Sequence, residues 1–355
     1  QGGGFDVSYA KGRIPNKGKM SRHIQFESNM TLSGANSDMR IPLKNEEQKL
    51  VVLEIYNSLF SEKIKIDSNL SISDNLRKAI DSTILEIKSN KEGSVVISGI
   101  QEESYQNLIL QINEKLSSNS FNPSKTILTR NGKDESVIRL ISDMNQGKVG
   151  ALIMCGVNPA YTLSNSEDFI KSLKSLEMSV CFSMKNDETA THSKYVAANN
   201  HYLESWCDYE LASNEFSLAQ PVIKTLFDTK QFQEILLVWN ENKTSVHDYI
   251  KNYWNENILG TNSWNKALHD GVFVKRRKNK FFSKSKSNKN IFKLVGANAS
   301  NKFELNIYPK IGMGDGQQAN NPWLQEFPDP LTRATWDNYL TISEYDAKEI
   351  GLYLE

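Results

Sequence analysis

An α/β fold with mostly parallel sheets and helices on both faces is predicted for this 355-residue chain by three observations. Short continuous apolar runs such as "VGALIM" and "EMSVCFSM" have the length and β-branched content of strands buried on both sides. Between such runs lie stretches whose apolar residues recur at i, i+3 and i+4, the spacing of an amphipathic helix. The two patterns alternate through the middle of the chain, as in crossover units that lay parallel strands side by side under helical cover.

The elements follow in order. "EEQKLVVLEIYNSLF" reads as a helix around Leu50 and Leu53, and Leu76, Ile80, Ile84 and Ile87 form the stripe of a second. "SVVISG", bounded by glycines, reads as a strand and leads to a helix with Tyr105, Leu108, Ile109, Ile112 and Leu116 on one face. "KTILTR" reads as the next strand, followed by a helix striped with Val137, Leu140, Ile141 and Met144. "VGALIM" is a strand, and a helix through Phe169, Ile170, Leu173 and Leu176 follows, with Ser164 and Glu167 spaced as a capping box. "EMSVCFSM" completes the series, and the class is Rossmann-like.

Length favours more than one core. The expected layout is an extended segment over 1–44, a first α/β unit over 45–145 and a second over 146–270. The remainder, 271–355, reads as a basic linker and a mixed segment leading toward a β-rich domain beyond this chain. The opening "QGGGFDVSYAKGRIPNKGKM" lacks both an initiator Met and the apolar core of a signal peptide, so the chain is expected to be a piece of a longer protein. Lys plus Arg and Asp plus Glu total 42 each, so no global field attracts nucleic acid or an anionic membrane. Cys155, Cys181 and Cys207 are too few and too scattered for a disulfide framework or a zinc site. No run of about 18 apolar residues is present to span a bilayer.

Parallel sheets place ligands at the carboxyl ends of strands. Two stretches fall there: Gly156-Val157-Asn158-Pro159, and Asp187-Glu188-Thr189. Gly156 permits a left-handed backbone, Asn158 bonds local backbone, and Pro159 stiffens the turn. Backbone N–H groups at such a turn can meet phosphate, although a plain strand exit has the same pattern. Glu188 sits in an acid-enriched helix start, which accounts for it without catalysis. "GMGDGQ", Gly312 to Gln317, mimics a phosphate loop, but Pro322 follows where a helix should open. "KRRKNKFFSKSKSNKN", Lys275 to Asn290, carries eight positive charges around Phe281 and Phe282 and reads as a solvated linker, with a patch for an acidic partner or anionic lipid as the minority alternative. His201, beside Tyr202, reads as a satisfied surface histidine or part of a subunit interface.

Taken in order, "GALIMCGVNPAYT", "DETATHSKYV" and "HYLESWCDYELASNEFSLAQPVIKTLFDTKQFQEIL" resemble the molybdopterin oxidoreductase superfamily. There a Gly-x-Asn-Pro turn, a Glu-Thr-Ala segment, a Glu-bearing segment and a Gln-Pro stretch follow one another. "RHIQFESNMTLSGANSDMRIPLK", "NHYLESW", "TLFDT" and "NPWLQEFPDPLTRATWDNYLTIS" are most similar to the molybdopterin-like part of the fused iron-sulfur subunit of alternative complex III, a bacterial quinol:electron-acceptor oxidoreductase. The likeness runs from Arg22 to the end and is densest between Gly147 and Leu237. The Pro-Gly-Thr-Asp of cofactor-binding relatives is absent. Val196-Ala197-Ala198-Asn199 stands for their Val-Leu-Pro, and Trp206-Cys207 for their Gly-Thr.

The resemblance implies the fold of the central domains of molybdopterin oxidoreductases, kept as a structural and docking part with no catalytic residue and no bound cofactor. Gly156, Asn158, Pro159, Glu188 and Thr189 are then the walls of a vestigial cradle, with the Trp206 indole expected to fill it. Iron-sulfur clusters belong to an adjoining part. The implied partners are that cluster-bearing domain and cytochrome c subunits, at the periplasmic face of the inner membrane, with no nucleic acid and no membrane span in this chain. The alternative is a piece of a working molybdenum or tungsten bis-pterin oxidoreductase whose metal ligand lies elsewhere. A nucleotide-binding enzyme using the Gly312 loop ranks third.

Overall fold

In the computed structural model, residues 5–16, 19–68, 70, 72–129, 132–275, 292–294, 303–314 and 316–352 are described. They divide into two units, one built from 1–122, 283–314 and 318–355 and the other from 123–282 and 315–317. The chain has the α/β class, with parallel strands flanked by helices.

The first unit opens with helix α1, Phe5–Gly12, where an extended segment was expected. Strand β1, Ile24–Glu27, then runs parallel to β2, Met39–Pro42, across the one-turn helix α2, Leu32–Ala35. Helix α3, Asn45–Leu59, starts where the Glu47 carboxylate accepts the Lys44 N–H at 2.7 Å. Strand β3, Ile66–Ser68, and helix α4, Asp74–Ser89, follow, with Ser73 capping the N–H of Leu76. Helix α5, Glu103–Leu116, ends at Ser117 in the left-handed region, φ 51°. Leu53, Ile80, Ile112 and Leu116 from α3, α4 and α5 form the heart of this unit's core. Lys49 on α3 ties the entry of α5, bonding Glu46 at 2.7 Å and Glu102 at 2.6 Å.

The strand expected over 94–99 does not form. The segment carries the right residues, but among the described residues no strand pairs with it, and Ile97 is left 84 % exposed. Its backbone is served by a side chain: the Asn113 amide accepts the Val96 N–H at 2.8 Å and donates to the Val96 carbonyl at 2.7 Å. One carboxamide thus stands in for a ladder rung.

In the second unit, the described residues 125–129 of the strand expected at 125–130 form no strand, and Ile127 makes an isolated antiparallel bridge to Ala212. Helix α6, Asp134–Asn145, belongs to this unit because Ile141 and Met144 pack with Phe169 and Leu173. By its internal contacts this unit starts at Pro123. Strand β4, Ala151–Cys155, leads through the single turn of α7, Pro159–Thr162, and α8, Ser166–Ser175, to β5, Met178–Ser183. Asn165, not Ser164, occupies the cap position of α8, and no side chain caps it. The short helix α9, Glu188–His192, joins β5 to β6, Tyr195–Ala198, and the three strands lie parallel in sequence order.

Strand β5 is covered on both faces. Cys181 packs with the α6 and α8 side chains, while Phe182, which alternates to the opposite face, meets Phe232 and Trp239 at 4.8 and 6.0 Å. Those two rings come from helix α10, Phe232–Trp239.

An antiparallel layer, absent from the expected strand series, follows β6. Strands β7, Cys207–Ala212, and β8, Glu215–Ala219, form a hairpin around Ser213 and Asn214. Asn214 takes φ 64°, a conformation asparagine tolerates better than most residues. Helices α11, Val246–Asn257, and α12, Trp264–Asp270, cover this layer, and β9, Val272–Val274, adds its third strand. The chain then returns to the first unit. Strand β10, Phe292–Leu294, pairs parallel with β3, and α13, Pro322–Glu326, and α14, Glu344–Glu349, complete the described residues. Beyond Lys275 the basic stretch lies outside those residues, as does Asp315 of the Gly312 loop. Around it 316–320 is turn, so no helix opens directly on that loop.

Candidate functional site

The five expected site residues sit at the carboxyl ends of two neighbouring strands, β4 and β5. Gly156 closes the β4 ladder by donating its N–H to Phe182 O at 3.1 Å, then turns the chain at φ +63°. A side chain there would be strained whatever the space, which is the physical reason for glycine at this exit. Pro159 occupies the first position of α7, where its missing N–H costs no helical bond. The carbonyl of Asn158 accepts from Tyr161 N–H at 3.1 Å and Thr162 N–H at 2.9 Å.

At the β5 exit Asp187 caps α9, accepting from Ala190 N–H at 2.9 Å and from Ser183 Oγ at 3.0 Å. Ser183 was not singled out in the sequence, although a serine closing a strand four residues before a cap aspartate is a usable signal. The cap points Glu188 outward and buries Thr189 completely.

One hydrogen-bonded lock then joins the two exits. Thr189 donates to Asn158 Oδ1 from its hydroxyl at 2.7 Å and from its backbone N–H at 3.1 Å. The same hydroxyl accepts the Ala160 N–H at 3.0 Å. Asn158 Nδ2 donates to Glu188 Oε2 at 2.7 Å. Asn158, Pro159, Glu188 and Thr189 are thus brought together, and the Asn158 side chain is engaged at both ends. That hydrogen bond from Asn158 holds the Glu188 carboxyl below its ordinary range, and burial opposes it only weakly. The group therefore stays anionic at neutral pH.

Replacing Thr189 by valine keeps the volume and removes the hydroxyl. Asn158 Oδ1 then loses its 2.7 Å donor and the buried Ala160 N–H loses its acceptor. The expected cost is about 1–3 kcal/mol in urea unfolding. A loss under about 0.5 kcal/mol, the scatter of neutral surface changes, would mean the lock is not holding the strand exits together.

The cradle can be tested for the groups the resemblance implies. The space beside Gly156 is open: apart from its chain neighbours, no heavy atom lies within 4 Å of where a Cβ would stand. Trp206 does not fill it, contrary to expectation. The indole packs against the α11/α12 core and meets the His247 ring, tilted at 56°, at 4.7 Å between centroids, because the antiparallel layer supplies an apolar surface for it. Tyr202 projects outward. Open space beside Gly156 leaves room for a ligand such as a pterin, whereas the anionic Glu188 at the neighbouring β5 exit opposes phosphate. The sheet also keeps sequence order, so the crevice that a reversal of strand order opens is not formed between β4, β5 and β6.

The thiols do not fit an iron-sulfur cluster. Cys155 is opposite Phe182 and Cys181 opposite Met154 in the β4–β5 register, which puts the two sulfurs on opposite faces. Burial pushes the Cys155 thiol up and the Cys181 thiol to about 11. Cys207 Sγ lies 3.8 Å from the Gln231 Nε2 donor. Among the described residues no set of three or more His, Cys, Asp and Glu side chains stands ready to hold a metal ion.

Two further residues of the motif series serve the backbone. His201 Nδ1 accepts from Leu203 N–H at 3.3 Å, and Glu204 accepts from His201 N–H at 3.0 Å and Leu226 N–H at 3.1 Å. Both are turn-closing groups. Among the described residues no helix is long and apolar enough to cross a membrane. No protein-family model matches this chain, and no curated protein matches it.

Proposed function

We propose that this chain is a molybdopterin-oxidoreductase-like portion of a respiratory quinol:acceptor oxidoreductase complex, acting as a structural and docking platform with no cofactor of its own. The observation that carries this reading is the lock at the strand exits. The polar atoms of Asn158 and Thr189 bond each other and Ala160, so they are not presented to a ligand. Glu188, the polar group left facing outward, has the wrong charge for a phosphate-bearing pterin. On this reading quinol chemistry and electron transfer belong to a cluster-bearing neighbour and cytochrome c subunits. The chain contributes their placement on the periplasmic face, and membrane attachment comes from partner subunits.

A second reading has a specific observation in its favour. The open wall at Gly156, with Trp206 and Tyr202 both placed elsewhere, suits a piece of a working molybdenum or tungsten enzyme. In that case the residues at the two strand exits would bind and orient a pterin whose metal ligand is supplied from outside this chain. The bound group would supply two-electron oxidation and reduction chemistry.

The two readings separate on protein purified from the native membrane. Molybdenum and tungsten content, with fluorescence of released oxidised pterin, is the measurement; iron is uninformative because it belongs to the neighbouring part. Neither metal nor pterin, in a complex that still oxidises quinol, is the expected result. Molybdenum or tungsten near one per chain with pterin would sink the platform reading.

A further inference from the structure

Helix α1 is held to the first unit by polar contacts at its edge. Every residue from Asp6 to Gly12 is exposed, including Val7 at 52 % and Tyr9 at 41 %. The Arg13 guanidinium, just past the helix, forks onto Asp38 at 2.6 and 2.9 Å and also donates to the carbonyls of Ser21 and Asn36. Tyr9 hydroxyl meets His23 Nδ1 at 2.7 Å, and Ser21 Oγ donates to Gly12 O at 2.9 Å. An eight-residue helix is too short to persist alone in water, so α1 stays helical only while these contacts hold it.

What α1 covers is a row of linked side chains. Gln25 and Glu27 alternate along β1 and share a face, and His23, just before the strand, continues the row through its bond to Gln25. Gln25 Nε2 faces Glu27 Oε2 at 3.3 Å, so its Oε1, 2.9 Å from His23 Nε2, requires the proton on that nitrogen. His23 Nδ1 is then the acceptor of the Tyr9 hydroxyl. The row runs inward to Glu27, a buried carboxylate that Arg40 pairs at 2.5 Å. Tyr9 closes its outer end.

We propose that α1 is a releasable strap, pinned by Arg13 on Asp38, whose opening unwinds the helix and bares His23 at the mouth of the row that ends on Glu27. Residues 6–12 are already exposed, so their release uncovers little apolar surface and proceeds without unfolding the α3/α4/α5 core. Salt weakens the pin and favours the open state.

The test is hydrogen exchange on the full chain, paired with the rate of His23 modification by diethylpyrocarbonate. Amides of 6–14 are expected to exchange on the order of a hundredfold faster than those of α3 and α4, through openings insensitive to global stability. Arg13→Gln raises both their exchange and His23 modification about tenfold, as loss of a charged fork would. High salt acts in the same direction, and Arg77→Gln, whose partner is Glu54, changes neither. Protection of α1 equal to that of α3, or His23 modification unchanged in Arg13→Gln, overturns the proposal. Should Arg13→Gln not fold, Tyr9→Phe removes the hydroxyl alone and must still raise His23 modification.

Discussion

Gly34→Ala is expected to destabilise the first unit by about 2–4 kcal/mol, the range for disrupting a buried ion pair and its hydrogen bonds when one partner can still reach water. A Cβ at Gly34 would stand 1.9 Å from Glu27 Oε1 and 2.4 Å from Glu27 Cδ, so the carboxylate must move. A glutamate tip is normally free to do so. This one is held from four directions: Arg40 Nε at 2.5 Å, Thr31 Oγ1 at 2.7 Å, and Thr31 N–H and Gln25 Nε2 both at 3.3 Å. Thr31 Oγ1 also accepts the Gly34 N–H at 3.0 Å, so displacement of the carboxylate reaches the α2 cap. Arg40 is partly exposed and finds water when released, which keeps the loss below that of a fully buried pair.

A double-mutant cycle isolates the cause. In a Glu27→Ala background the added methyl has no carboxylate to strike, and the Gly34→Ala penalty should nearly vanish. Equal penalties in both backgrounds would put the cost in the backbone and sink the argument. Acid should act on the same network. Burial pushes the Glu27 carboxyl up, but the hydrogen bonds from Thr31 and Arg40 and the Arg40 charge outweigh it and leave the native value below 4.5. A lowered carboxyl binds protons more weakly folded than unfolded, so its stabilisation is fully present above pH 4.5. It is lost as pH falls through the native value. That acid-sensitive part should be missing from unfolding curves of Gly34→Ala.

Periodicity read the helices of this chain well because their burial is one-sided: Leu76, Ile80 and Ile87 on α4 and Phe169 and Leu173 on α8 are the residues that pack. It read strands less well. "VGALIM" and "SVVISG" look alike as sequence, yet only the first finds a neighbour to pair with, since pairing is decided by distant chain. The β7/β8 hairpin has a local signal in Ser213-Asn214 between two alternating runs, within a stretch whose motif likeness says nothing of a hairpin. At the site, the strand-exit position of Asn158 and Thr189 followed from the α/β alternation. Their mutual bond did not, because a side chain's partner 31 positions away leaves no local trace. Trp206 shows the same limit in reverse. Its bulk was visible in sequence, but where the indole goes depended on α11 and α12.

That aromatic layer carries the other large effect. Trp254→Ala is expected to cost about 3–5 kcal/mol, because the indole is the largest fully buried side chain described and its removal leaves a cavity that the β7/β8 layer cannot close. Trp254 meets Trp264 at 5.9 Å and Phe216 at 6.1 Å, both edge to face, and so joins α11 to α12 and to β8 at one point. Its Nε1–H donates to Asp208 Oδ2 at 2.8 Å, which fixes the ring's orientation from β7. Trp254→Phe separates the two roles: it keeps most of the volume and loses the N–H bond, so about 1–2 kcal/mol should suffice. Hydrogen exchange locates the damage. In Trp254→Ala, faster exchange should appear in β7, β8, α11 and α12, while β4, β5 and α8, which pack around Leu173 and Cys181, keep most of their protection. Acceleration spread evenly over both sets would mean that the antiparallel layer and the parallel sheet unfold as one, and that Trp254 holds up the whole second unit.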